Sequence, residues 1–418
     1  MLIHWIWLAT RPALTERQTM ALLHTFADAE DVFFASRDAY ANVEGVTPEG
    51  AESLSDKDLA EAQHILDECV RNHIGVCTYA DAAYPARLKN IADPPAVLYY
   101  RGNLAGLDTQ PVIAVVGTRK ASAYGMTTAS RMGYQIACCG GILVSGLAEG
   151  IDGSAMKGAL TAGGSIVGVL GCGVDVVYPS FHRSLYLDTE RNGCLISEFP
   201  PGTPPYRWNF PKRNRIISGL SNGVLVIEAP QKSGSLITAR LALDQGRDVF
   251  VVPGNIDVVT CQGSNALLRD GAIAVSSGWD VMSEYQHLYP GKVRHDSTAP
   301  LQTIAEDELK TKENKEETIL RVAQKSAFTH KKASSEKKTE KKPATKESKP
   351  FNYDRQEIWS SLSEEEQSLL MPLKQGEMSA DDLIAASGLP TGKVLAMLTM
   401  LQIRGVVQLL PGKRIALK

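Results

Sequence analysis

The chain has 418 residues, 44% of them apolar, and a formal net charge of −3 at pH 7, which is enough for two or three domains with cores of their own. That balance excludes a surface that is basic as a whole, so any contact with nucleic acid has to be a local patch. The seven cysteines show no CxxC spacing and no cluster with histidine, so no metal and no cofactor is expected, and the odd, scattered set fits the reduced thiols of a cytoplasmic protein.

The opening MLIHWIWLAT lacks a basic leader and reads as a buried first strand or helix rather than a signal peptide. Nothing approaches the ~20 apolar residues of a membrane span, so no membrane insertion is expected. Thr15 is placed to cap a helix through Ala21, Leu22, Leu23 and Phe26, and a second helical pattern runs from Ser55 through Leu59, Ala62, Ile65, Leu66 and Val70. Residues 1–75 therefore read as a helical domain. A proline-rich stretch, YADAAYPARLKNIADPPAVLYYRGN, leads into a second domain spanning 76–290.

From Pro111 the pattern changes. Short, continuously apolar runs at 111–116, 142–145, 165–170, 194–199, 223–229 and 248–253 alternate with helical segments at 125–139, 152–162 and 235–245. Runs of that kind suit strands buried on both faces, and the alternation predicts an α/β fold with a mostly parallel, doubly wound sheet. Composition breaks after Arg294. Residues 331–350 hold eight Lys and three Glu, so 291–352 reads as a disordered lysine-rich linker. Residues 353–418 follow a helix, short helix, turn, helix and hairpin order with Ser-x-x-Glu caps at Ser361 or Ser363, the order of a winged helix-turn-helix.

The chemistry sits at strand ends. Gly117-Thr-Arg-Lys follows the first predicted strand and offers backbone N–H groups to phosphate, with Arg119 and Lys120 as cations. It is not a dinucleotide fingerprint, because no acid closes the second strand. Gly146 lies at the same edge after the second strand, followed by Asp152, which reads as a helix cap. Gly171-Cys-Gly173 follows the third, with Cys172 structural. The most informative stretch is Arg207-Trp-Asn-Phe-Pro-Lys-Arg-Asn-Arg215, which holds four cations, two aromatics and no acid. Cations pair with phosphates while aromatic faces stack bases. This marks Arg207, Phe210, Lys212, Arg213 and Asn214 as candidate DNA-binding residues. Two readings stay open for Trp208, a base platform or a core anchor. Ser233 and Gly234 open a helix whose N-terminus would face the same crevice. No catalytic constellation is recognisable: there is no nucleophile elbow, Walker A or triad order.

The strings VGTRKASAYG, SGLAEGID, GCGVDVVYP, FPKRNRIISGL, EAPQKSGSLITARLALDQGRDVFVVPG and QGSNALLRDGA, in this order, resemble the DNA-processing protein A family, also called Smf. The resemblance covers about 75–290 strongly and the flanks more loosely. It implies an extended Rossmann-like domain with an N-terminal SAM-like helical domain and a C-terminal winged-helix domain. It also implies a non-enzymatic, cytoplasmic, dimeric protein that binds the single-stranded DNA of natural transformation, protects it and loads the recombinase RecA onto it. On this sequence Arg119 would be the glycine-loop arginine on DNA, Arg207 would stand where the family often has a lysine, and Phe210 would meet bases. The lysine-rich linker is not part of the shared pattern. The unit 355–418 carries seven Lys/Arg and seven Asp/Glu, with only Lys393 and Arg404 on the expected recognition helix. That neutrality favours a partner-binding role over duplex DNA.

Two other readings remain. One is a nucleotide hydrolase of the phosphoribohydrolase class, which shares this Rossmann variant. It is weakened because QKSGSLITA lacks the glutamate of the P-G-G-x-G-T-x-x-E pattern it resembles. The other is a scaffold that recruits partners through the winged unit.

Overall fold

The computed structural model describes residues 1–295, 364–387, 394, 397–398, 401–402, 406–410 and 414–417. Residues 296–352 of the expected linker, the Ser361 and Ser363 caps, Lys393 and Arg404 lie outside the described residues, whereas 291–295 still belong to the first unit, with Val293 buried in its core. The chain divides into two compact units, with residues 1–295 in the first and the winged segment in the second.

Six helices come first: α1 (Leu2–Ala9), α2 (Glu16–Phe26), α3 (Ala29–Phe34), α4 (Arg37–Ala41), α5 (Pro48–Ser55) and α6 (Ala60–Arg71). The apolar opening is helical, and His4 through Leu8 are buried. Thr15 caps α2 in a reciprocal capping box with Gln18, two orphan donors answered by one pair of side chains. These helices do not stand apart: Trp7, Leu22 and Leu54 belong to the same continuous core as Tyr99, Ile113 and Leu143 of the sheet.

The rest of the first unit comprises β1 (Gly75–Thr78), α7 (Ala86–Lys89), β2 (Val97–Gly102), β3 (Val112–Val116), α8 (Ala123–Cys138), β4 (Ile142–Ser145), α9 (Ile151–Thr161), β5 (Ile166–Val169), α10 (Arg183–Asn192), β6 (Gly193–Ser197), α11 (Asn209–Leu220), β7 (Gly223–Val226), α12 (Gly234–Asp244), β8 (Asp248–Val251), α13 (Gln262–Arg269), β9 (Ile273–Ala274) and α14 (Gly278–Met282). The strands form one sheet in the order β1-β2-β6-β5-β4-β3-β7-β8-β9. Strands β3 to β9 pair in parallel. The pairs β1–β2 and β2–β6 are antiparallel. The segment Val97–Gly102, expected as part of a proline-rich lead, is thus a strand that extends the sheet, and the Pro94-Pro95 pair lies just outside its start.

The two faces explain the continuous apolar runs. Ile113 and Val115 of β3 point into the core shared with α8 and α9, while Val112, Ala114 and Val116 point into the core shared with α11 and α12. Both faces of the sheet are covered, as a parallel sheet requires, and each fully buried Ile or Val contributes roughly 1.5–3 kcal/mol. From β3 the chain winds outward through β4, β5 and β6, then returns to place β7 on the other side of β3. That reversal opens a crevice at the carboxyl ends of β3 and β7.

In the second unit, α15 (Glu364–Leu370), β10 (Met378–Ser379), α16 (Ala380–Ser387), β11 (Val407–Leu410) and β12 (Arg414–Leu417) surround Leu369, Leu373, Leu383 and Ile415. The expected hairpin is present, joined by β10 in the order β10-β12-β11.

Candidate nucleic-acid interface

The crevice at the switch point has a volume of about 500 Å³. Its walls are the turn after β3 (Gly117, Arg119, Lys120), the start of α11 (Phe210, Arg213, Asn214) and the turn into α12 (Lys232, Ser233, Gly234). A small pocket beside it shares Arg119, Phe210 and Arg213 and adds Gly146, Glu149 and Tyr178. Five separated segments of chain therefore converge at one sheet edge.

The turn after β3 is held from across the strand. Glu228, 1% exposed at the end of β7, accepts from the Ser122 amide at 2.9 Å and from the Ser122 hydroxyl, while its own carbonyl accepts from the Thr118 amide at 2.7 Å. Ser122 in turn caps α8 by accepting from the Gly125 amide. Arg119 and Lys120 are left on the outside, exposed. The Arg119 guanidinium carbon lies 5.4 Å from the centroid of the Phe210 ring, within cation–π range. The Phe210 ring rests on Gly171, where a Cβ would come within 3.0 Å of it, and the Asn209 side chain donates to the Gly171 carbonyl at 3.1 Å. Phe210 is half-buried and presents the rest of its ring to the crevice.

Arg213 differs from the free cation expected of it. It is 4% exposed and is consumed inside the fold. Its guanidinium donates to the Gly146 carbonyl at 2.9 Å, to the Val169 carbonyl, and to Asn214 Oδ1 at 3.2 Å. A Cβ on Gly146 would lie 2.4 Å from Arg213 Nη2, so only glycine lets the guanidinium lie against that turn. Burial pulls the guanidinium downward and Asp152 holds it up. Asp152, expected as a helix cap, is likewise a brace. The cap position of α9 is Gly150, and the Asp152 carboxylate accepts from the Gly146 amide at 3.1 Å. Burial pushes its carboxyl above the usual range, against the pull of Arg213.

Lys212 is the second correction. It is exposed, but it leaves the crevice on the opposite side of α11 and pairs with Glu16 of α2 at 3.3 Å. Arg215, 4% exposed, joins it there, pairing with Glu198 and lying 3.6 Å from Asp93 and 3.9 Å from Glu16. The helical period accounts for the split. Residues 210, 213, 214 and 217 share one face of α11, while 212 and 215 turn to another.

Of the remaining expected residues, Ser233 caps α12 by accepting from the Ser235 amide at 3.4 Å, and Gly234 is the first residue of that helix. Asn214 donates to the Gly234 carbonyl at 3.4 Å and so ties α11 to α12. Arg207 is exposed on the turn before α11 and does not line the crevice. Cys172 is 1% exposed, with its thiol pushed up to about 11 by burial. Trp208 is 65% exposed, which removes the core-anchor reading. Lys232, on the crevice rim, is a cation the sequence reading passed over, although it directly precedes Ser233. Among the described residues, no carboxylate forms an ion pair with Arg119, Lys120, Arg207 or Lys232.

A family model described as DNA recombination-mediator protein A matches residues 75–286, and one described as DprA winged helix domain matches 356–413. The chain is 44% identical over 201 residues to the DNA processing protein DprA of Bacillus subtilis (strain 168), covering 48% of this chain and 68% of that relative. It is 44% identical over 204 residues to protein Smf of Escherichia coli (strain K12), covering 49% and 54%. Among solved structures it is similar to the X-ray structure of DNA processing protein A (DprA) from Streptococcus pneumoniae. The TM-score is 0.61 at 34% identity, covering 68% of this chain and 98% of that one.

Proposed function

Because the chain belongs to the DNA recombination-mediator protein A family, we propose that it binds single-stranded DNA in the crevice between the β3, α11 and α12 segments and performs no chemistry on it. The observation that carries this reading is the pairing of the exposed Arg119 guanidinium with the Phe210 ring at the crevice wall. A fixed cation and an aromatic face side by side are what a phosphate and its neighbouring base require. Lys120 and Lys232 add charge, and the α12 N-terminus, capped at Ser233, adds its dipole.

Two acids near the site are occupied by the fold, which favours binding over turnover, while Glu149 also lines the side pocket. Glu228 and Asp152 are both engaged with backbone amides of the turns, so each acts as a brace. In the fuller reading, which rests on the family resemblance, the strand is the one taken up in natural transformation. The protein protects it in the cytoplasm, acts as a homodimer, and helps load RecA. No helix among the described residues is long and apolar enough to cross a membrane.

The test is titration of a fluorescent dT oligonucleotide at two salt concentrations, with a duplex of equal length as the comparison. Arg119→Ala should weaken binding at least tenfold and flatten the salt dependence by about 0.7 in slope, the value for one phosphate contact on a single strand. An unchanged affinity in Arg119→Ala and Phe210→Ala together would remove the crevice as the site. Faster RecA assembly on the bound oligonucleotide would support the fuller reading.

A further inference from the structure

Outside the crevice, the turn leading into α11 holds two aromatic rings in an arrangement that the binding reading does not use. Tyr206 and Trp208 stack with ring centroids 4.7 Å apart and planes 7° from parallel. Both are exposed, at 44% and 65%. Parallel, offset stacking is a favourable geometry for such a pair, yet here it covers only one face of the indole. Exposed large aromatics are costly to leave in water, and a bare indole face on an ordered turn points to something that covers it.

The turn is rigid. The Gly202 amide donates to both carboxylate oxygens of Asp175, at 2.9 and 3.0 Å. The Gly173 amide donates to the Thr203 carbonyl at 3.0 Å, the Thr203 hydroxyl to the Pro200 carbonyl at 2.7 Å, and the Asn209 amide to the Tyr206 carbonyl at 3.0 Å. Pro200, Pro201, Pro204 and Pro205 fix φ along the same stretch. The stack is therefore presented in place, with little ordering left to do on binding.

We propose that the Tyr206–Trp208 stack is a second base-stacking platform. A nucleobase of the strand leaving the crevice over Phe210 lies on the outer face of Trp208, and Arg207 takes the adjoining phosphate. This rests on the crevice being the single-strand site. Three features favour nucleic acid as the occupant. Trp208 stands two residues before Phe210 at the start of the same helix. Arg207, between the two rings in sequence, is exposed and has no carboxylate partner among the described residues. The inner wall beyond, Phe210 and Tyr178, is also aromatic, with those rings 5.5 Å apart. Together they make aromatic faces interleaved with cations, the pattern that binds single strands without sequence preference.

The experiment is titration of the full-length protein with dT oligonucleotides of increasing length. Trp208→Ala should weaken binding of the longer oligonucleotides about five- to a hundredfold and leave the slope of affinity against salt unchanged. Trp208→Phe should restore most of the loss. Arg207→Ala should instead flatten the slope by about 0.7. The Trp208→Ala penalty should vanish on an oligonucleotide whose bases are removed at the exit end. Wild-type affinity in Trp208→Ala, while Arg119→Ala is still weakened at least tenfold, overturns the platform and leaves the crevice standing. Such a result would fit a protein partner on the stack. Full binding in both variants overturns the crevice as well.

Discussion

The two flanks of α11 are built from similar residues and end in opposite states. On the flank toward the amino-terminal helices, Lys212 and Arg215 meet Glu16, Glu198 and Asp93, and their charge is answered within the protein. On the crevice flank, Arg119, Lys120 and Lys232 have no such partner among the described residues. Phosphate affinity follows the number of cations free to release counterions, and the unpaired charge around α11 lies on the crevice flank. Between the two, Arg213 is a cation turned into architecture, spanning the carbonyls of Gly146 and Val169. A single basic motif thus supplies a latch, a strut and one wall of the crevice.

Removing the strut should have the largest effect. Arg213→Ala leaves the Gly146 and Val169 carbonyls without their guanidinium donor and removes the cation that offsets the buried Asp152 carboxylate. Breaking a buried charge arrangement of this kind costs about 3–5 kcal/mol, read as a fall in the urea unfolding midpoint. A loss of DNA binding with no loss of stability would make Arg213 a ligand contact instead and blur the distinction between the flanks. Gly146→Ala attacks the same strut from the other side, since the new methyl would sit against the guanidinium. Overpacking there should cost about 1–3 kcal/mol in the same unfolding experiment.

The latch should matter least. Burial pushes the Glu16 carboxyl up, but its own backbone hydrogen bond, Arg215 and Lys212 together carry it below its ordinary value of 4.5. An acid lowered in this way stabilises the fold above its unfolded value, and that contribution is lost as pH falls through the lower folded value. Glu16→Gln should therefore cost no more than about 1 kcal/mol at pH 7 and nothing at a pH below the folded value. It also frees Lys212, so its affinity for single strands should rise slightly. A fall in affinity would mean that the latch positions α11 for binding.

Much of this was legible in the sequence. The six continuous apolar runs, four of them ended by glycine, locate the sheet and its carboxyl edge, because burial on both faces leaves no polar alternation. The strand Val97–Gly102 escaped because it follows the Pro94-Pro95 pair and ends in Arg101 and Gly102, which reads as a connecting loop. Within the crevice, Arg119 and Phe210 lie on the wall, at the sheet edge where the sequence puts them. The fates of Lys212, Arg213 and Asp152 were not, since those depend on Glu16, Gly146 and Val169, residues brought close only by the fold. The spacing of 210, 213, 214 and 217 against 212 and 215 did carry the signal for two faces, once the segment is taken as a helix.

The most direct measurement is photocrosslinking of the protein to a 4-thiothymidine oligonucleotide, with the attached peptides mapped by mass spectrometry. Crosslinks should fall on the 117–120 turn, on Phe210 and on the 232–234 turn. Crosslinks confined to the Lys212 and Glu16 flank would contradict the assignment of the strand to the crevice.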